Sequence, residues 1–150
     1  MAHFAQIGRN NKVLRVLKIE NADTLDSNGV EQESIGQNFL AESHGIQCEW
    51  VQCSINTLEN VHGLGGTPLR ANFPGVGWYY DETNDIFHMG RPTDKDGQSC
   101  TSWTMNTSTG VWSAPITKPT SPAETEYSNW VWDESAYQAD NTTGWVKSDA

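Results

Sequence analysis

"SWTMNTSTGVWSAP", residues 102–115, sets two tryptophans nine positions apart around a small polar knot that ends in glycine. The same arrangement recurs in "WYYDETNDIF" (78–87) and in "WVWDESAYQADNTTGW" (130–145). Each copy has a tryptophan, an apolar residue two positions on (Tyr80, Met105, Trp132), then Asp81, Asn106 or Asp133, then Thr83, Ser108 or Ser135. A second aromatic closes the first two copies at position nine, Phe87 and Trp112, while a six-residue insertion in the third postpones Trp145 to position fifteen. Alternate strand residues project to one face, and Asx, Ser and Thr side chains close turns on their own backbone. The pattern therefore predicts three β-hairpins (75–92, 100–115 and 127–148) with Trp78, Phe87, Trp103, Trp112 and Trp145 as structural clasps. Cross-strand aromatic pairs contribute about 0.5–1.5 kcal/mol beyond area burial, which matters where aliphatic residues are scarce.

Upstream of the hairpins the character differs. "HFAQI" (3–7) and "KVLRVLKIEN" (12–21), separated by "GRNN", read as two strands around a turn. "VEQESIGQNFLAESHG" (30–45) carries acids early, Ile35, Phe39 and Leu40 at helical spacing, and Gly45 as a stop, so it predicts a helix. Gly36 in its middle weakens that helix by about 1 kcal/mol unless close packing on a sheet requires it. "CEWVQCSI" (48–55) alternates as a third strand that rejoins the first two. The expected organisation is a ββαβ unit over 1–58, a glycine-rich connection over 59–74 and a hairpin region over 75–150. The fold class is α+β, mainly β.

At 150 residues the chain can bury a core, and seven tryptophans predict an aromatic, thin one. Nineteen acids face nine bases, for a net charge of −10, and residues 121–150 hold six acids against Lys147 alone. Nucleic-acid binding needs clustered Lys and Arg, so none is expected. No apolar run reaches membrane-spanning length and no charged-then-apolar leader follows Met1, so neither a membrane partner nor secretion is expected. Cys48, Cys53 and Cys100 lack zinc or disulfide spacing and read as small apolar residues.

No phosphate loop, nucleophile elbow, zinc helix or dinucleotide fingerprint is present. His3, His44, His62 and His88 are scattered over different elements, without an acid or nucleophile at a diagnostic offset. "DKDG" (94–97) offers part of a calcium loop but lacks the distal ligands, so it reads as a turn, as does "DETND" (81–85). No enzymatic activity, catalytic residue, metal, cofactor or small-molecule ligand is expected.

The openings "MAHFAQI" and "NADTLDSNGVEQESIGQNFL", with "WVQCSINT", "NFPGVGWYYDETNDIF", "SWTMNTSTGVWSAP" and the late "YSNWVWDES", resemble a family of small structural, virion-associated proteins of marine tailed phages, cyanophages in particular. The resemblance covers nearly the whole chain in order. "FPGVGWYYD", "HMGRPTDKDGQSCTSW" and the insertion in the last hairpin depart from the family's commoner pattern, which bears on the outer surface. The resemblance implies a virion protein made in the host bacterial cytoplasm. The leading expectation is a capsid decoration, or knob, protein (a minor capsid protein) docking outside the shell on the major capsid protein or another virion protein. Leu69, Arg70 and Phe73 in the long loop are the candidate docking residues. The alternative is a tail or tail-fibre module that binds host surface glycan, with Trp130, Trp132 and Tyr137 as stacking platforms. Burial of Trp78, Trp103 and Trp130 against one sheet would make them clasps and favour the first reading, and a coplanar exposed row favours the second.

Overall fold

A computed structural model describes residues 1–120 and 128–149. The start of the third predicted hairpin, at 127, and the end of the hairpin region, at 150, lie outside the described residues. The fold is α+β and mainly β, with several small antiparallel sheets. The chain divides into two compact units, Met1–Gly90 with Thr107–Val111, and Arg91–Asn106 with the residues from Trp112 on.

In the first unit, strand β1 (Ala2–Ile7) runs between β2 (Val13–Ile19) and β3 (Glu49–Cys53), antiparallel to both. Phe4 and Ala5 are adjacent in β1, yet each is wholly buried. Successive strand residues face opposite ways, so both faces of this sheet are covered. On one face Phe4, Ile19 and Trp50 pack with Leu40 of helix α1 (Glu33–His44). On the other, Ala5, Ile7, Val13, Val51 and Cys53 pack with Phe87, and Phe73, Trp78 and Tyr80 lie against them. This core mixes aliphatic and aromatic side chains, where an aromatic one was expected. The strands supply β-branched residues that fit a pleated surface. Gly36 lies close against the sheet: a β-carbon there would stand 2.4 Å from Cζ of Phe4.

The stretch expected as a connection contains a hairpin of its own, β4 (Thr57–Leu58) and β5 (Val61–His62), turned by Glu59 and Asn60. Both turn residues have positive φ, 50° and 62°, the conformation of a type I′ turn, reached here without glycine.

The first aromatic hairpin, β6 (Tyr79–Asp81) and β7 (Ile86–His88), belongs to this unit, so the expected boundary before residue 75 moves to Gly90. The reason is hydrogen bonding. Val13 N donates to Trp78 O at 2.7 Å, Gly77 N to Val13 O at 2.8 Å, and Phe87 N to Arg70 O at 3.0 Å.

The second unit holds β8 (Thr104–Met105) paired with β9 (Trp112–Ser113), and β10 (Ser128–Trp132) paired with β11 (Trp145–Asp149). The insertion in the third repeat folds as a short helix, α2 (Glu134–Ala139), whose N-cap Asp133 accepts from Ala136 N at 2.8 Å. In all three hairpins the closing aromatic sits opposite the residue two positions after the tryptophan: Tyr80 faces Phe87, Met105 faces Trp112 and Trp132 faces Trp145. Trp78 and Trp103 precede their strands and do not pair with Phe87 and Trp112. Trp78 packs on the first unit's core. Trp103 joins the aromatic cluster of the second.

The "DKDG" turn shares its build with "DSNG" in the first unit. Asp94 Oδ1 accepts from Asp96 N and Gln98 N at 2.9 and 2.8 Å, as Asp26 Oδ1 does from Asn28 N and Val30 N at 2.8 and 3.0 Å. Gly97 and Gly29 take positive φ, 79° and 76°, at the same loop position. A side-chain oxygen that ties two backbone donors is how an aspartate holds a tight loop.

Candidate functional site

Of the three residues expected to dock a partner, Arg70 turns inward. Its guanidinium bonds Glu33 in two parallel contacts, Nη1 to Oε1 and Nη2 to Oε2, both 3.0 Å, and its Nε donates to Asp85 Oδ1 at 2.7 Å. β3 is one of the two outer strands of its sheet, and Gln52 on it donates its N–H to Glu33 Oε1 at 2.8 Å and accepts at its carbonyl from Arg70 Nη1 at 2.9 Å. An ion pair thus occupies the edge position that another strand would take. Tyr80 OH donates to Asp85 Oδ1 at 2.6 Å. Burial and the Asp85 carboxylate push the Tyr80 phenol up to about 12. Burial alone would raise the Asp85 carboxyl, but the Tyr80 hydroxyl and the Arg70 guanidinium outweigh it and hold the group below the usual range. Arg70 is a strut, its charge spent inside the unit. Phe73 packs edge-on against His3, with centroids 5.4 Å apart.

Leu69 alone borders an open feature, a cleft of about 360 Å³ that it lines with Met1, His3, Gln52, Ile55 and Pro68. Beside that cleft the β4–β5 hairpin carries the apolar surface. Ile55, Leu58, Val61 and Leu64 are 60, 63, 63 and 79% exposed, and Leu58 and Val61 face each other across the strands. The hairpin is firmly held: buried Thr57 accepts from Leu69 N at 3.1 Å, and Asn72 Oδ1 accepts from Glu59 N at 2.8 Å. His62 Nδ1 accepts from Leu64 N and Gly66 N at 3.2 and 3.1 Å, which shapes the loop that carries Leu64. Hydrophobicity in "SINTLENVHGL" was the available sequence signal, hidden because the turn lacks glycine.

Two of the glycan candidates of the second unit, Trp132 and Tyr137, are packed together, while Trp130 is half-buried. Trp132 is 4% exposed, with ring centroids 5.2 Å from Trp145, 5.4 Å from Tyr137 and 5.9 Å from Trp103. A buried indole at the centre of such a cluster offers no coplanar platform with Trp130 and Tyr137. The Trp132 N–H donates to Glu134 Oε2 at 2.8 Å. Glu134, also 4% exposed, accepts further from Thr101 Oγ1, Ser102 N, Ser102 Oγ and Gln138 Nε2, all at 2.8–3.0 Å. Burial would raise this carboxyl, but five donors, the Trp132 indole foremost, bring it down to about 2. Asp94 Oδ2 accepts from Glu134 N at 3.0 Å, which joins the loop to the helix. A carboxylate surrounded by donors holds structure and is poorly placed for proton transfer.

The more open indoles lie elsewhere in this unit. Trp103, Trp112, Ile116, Lys118 and Trp145 line a groove of about 340 Å³. Trp145 is pinned by its N–H to Ile116 O at 2.7 Å, and the Lys118 ammonium lies 5.5 Å from its ring centroid. The Arg91 guanidinium lies 4.5 Å from the Trp112 centroid.

Among the described residues no three His, Cys, Asp or Glu side chains gather as a metal site would need, and no helix is long and apolar enough to cross a membrane. Comparison with protein-family models, with curated proteins and with solved structures finds no match.

Proposed function

We propose that this chain is a phage virion structural protein, a decoration or knob protein that docks on the shell through the β4–β5 hairpin and the cleft beside it. One observation carries the reading: four large aliphatic side chains stand exposed within residues 55–64, on and beside a hairpin that hydrogen bonds to the buried Thr57 and Asn72 hold in place. Exposed aliphatic residues concentrated on a rigid element mark an interaction site, and a stable interface needs about 800 Å² per partner. A second copy of the chain is disfavoured as partner, because two bodies of charge −10 repel. The family resemblance in the sequence supports a shell protein as the occupant. Of the residues expected to dock, Leu69 borders the cleft, Phe73 is partly buried against the first unit's core, and Arg70 is held by Glu33 and Asp85.

Quantitative mass spectrometry of purified particles tests the reading. A copy number matched to the symmetry of the shell is the expected result. A few copies per particle point to the tail module, and absence from particles overturns both. Leu58→Lys with Val61→Asp should leave the chain folded and remove it from particles.

A further inference from the structure

We propose that the groove formed by Trp103, Trp112, Ile116, Lys118 and Trp145 in the second unit binds an acidic sugar residue of a polysaccharide, through the indole faces and the Lys118 ammonium. The proposal stands on residues of that unit alone and does not rest on the docking role assigned to the hairpin.

Three indoles wall the groove, with Ile116 adding apolar surface. None of the three is fully buried, unlike Trp132 behind them. Indole faces are flat, apolar and electron-rich, and they suit the apolar C–H face of a pyranose ring, which carries a partial positive charge. The indoles are held in place: Trp145 by its bond to Ile116 O, and Trp103 by Arg91 Nη1, which donates to Trp103 O at 2.6 Å and to Cys100 O at 2.9 Å.

Charge selects the class of sugar. The chain carries nineteen acids against nine bases, yet among the described residues no carboxylate lines this groove, while Lys118 does. Arg91 adds a second cation on the Trp112 ring, with its Nη1 committed to the backbone carbonyls of Cys100 and Trp103. Lys118 is exposed, with three donors on a flexible stem, and it meets the groove over Trp145. The Lys118 ammonium matches one carboxylate or sulfate on a sugar ring. A single-stranded nucleic acid also stacks on aromatic rings, but it needs a track of cations along its phosphates, which this acidic unit lacks.

The test is a titration of the full-length protein with trigalacturonate, followed by the indole N–H resonances of its seven tryptophans. Resonances of the groove indoles should shift, with maltotriose, the neutral probe, binding at least about tenfold more weakly. Lys118→Glu, a change at an exposed position that leaves folding intact, should weaken trigalacturonate about tenfold, and Lys118→Arg should retain binding within about threefold. Absence of any shift at about 10 mM trigalacturonate overturns the proposal. So do equal binding of maltotriose, tighter binding of oligothymidylate, or a Lys118→Glu variant that binds like the parent. Copy number in particles has no bearing on these outcomes, so this proposal and the docking role fail separately.

Discussion

Arg70 and Glu33, 37 residues apart in the chain, hold the two outward-facing backbone groups of Gln52 between them. The pair closes a sheet edge that would otherwise present an unpaired donor and acceptor to another chain. Replacing Arg70 by Met removes the cation between the half-buried Glu33 and the exposed Asp85. A loss of about 1–2 kcal/mol in urea denaturation is expected, because both carboxylates left behind reach water, with Arg70→Lys recovering only part of it, because an ammonium cannot make the two parallel contacts. A docking role for Arg70 would instead leave stability unchanged.

Helix α1 gives a test in which two physical effects oppose each other. Alanine at position 36 would gain about 1 kcal/mol of helix propensity but would drive its methyl group into Phe4, 2.4 Å away. Overpacking of this kind costs about 1–3 kcal/mol, so the sheet contact wins and Gly36→Ala destabilises. Combination with Phe4→Leu should show a coupling of the opposite sign in a double-mutant cycle. Additive effects would mean that the helix does not press on Phe4.

Glu134 predicts an acid transition confined to the second unit. Its carboxyl lies at about 2 in the folded chain and near 4.5 when unfolded, so the unfolded state binds the proton more readily. The stabilisation is therefore fully present above about 4.5 and is lost as pH falls through that value toward 2. Near-ultraviolet circular dichroism of the indole cluster should fall across that window. Glu134→Gln, which cannot accept from five donors at once, should be less stable at neutral pH and lose the transition. An unchanged acid profile in that variant would rule Glu134 out as the cause.

The cysteines divide by burial. Burial pushes the Cys53 thiol up to about 12, and burial with the Glu134 and Asp94 carboxylates pushes Cys100 up to about 11. The thiolate is the reactive form, so neither should react with iodoacetamide in the native protein at pH 8. Labelling followed by peptide mass spectrometry should find modification at Cys48, which is only half-buried, and at the other two only after unfolding. Native labelling of Cys53 would mean that the sheet face covered by Phe87 opens.

What local chemistry alone dictates was readable from the residues. Strands β1, β2 and β3, helix α1 and the three aromatic hairpins each follow from a period of two, a period of 3.6, or an Asx-rich turn, because those preferences act within a few bonds. Even the oddity of Gly36 announced its close packing. The hairpin at Thr57–His62 escaped because Glu59 and Asn60 adopt left-handed backbone without the glycine that usually signals it.

Long-range pairing was left to tertiary structure. Nothing near Arg70 in sequence says that its carboxylate lies 37 residues upstream, so its charge read as surface. The tryptophan repeat gave no sign of which copies share a core: β6 and β7 joined the first unit through backbone bonds to Val13, while Trp103, Trp132 and Trp145 gathered in the second. Periodicity states which side of a strand a residue occupies. What stands on that side is set by chain segments brought together only when apolar surface leaves water, and that decides whether an indole becomes core, like Trp132, or the wall of a groove, like Trp112 and Trp145.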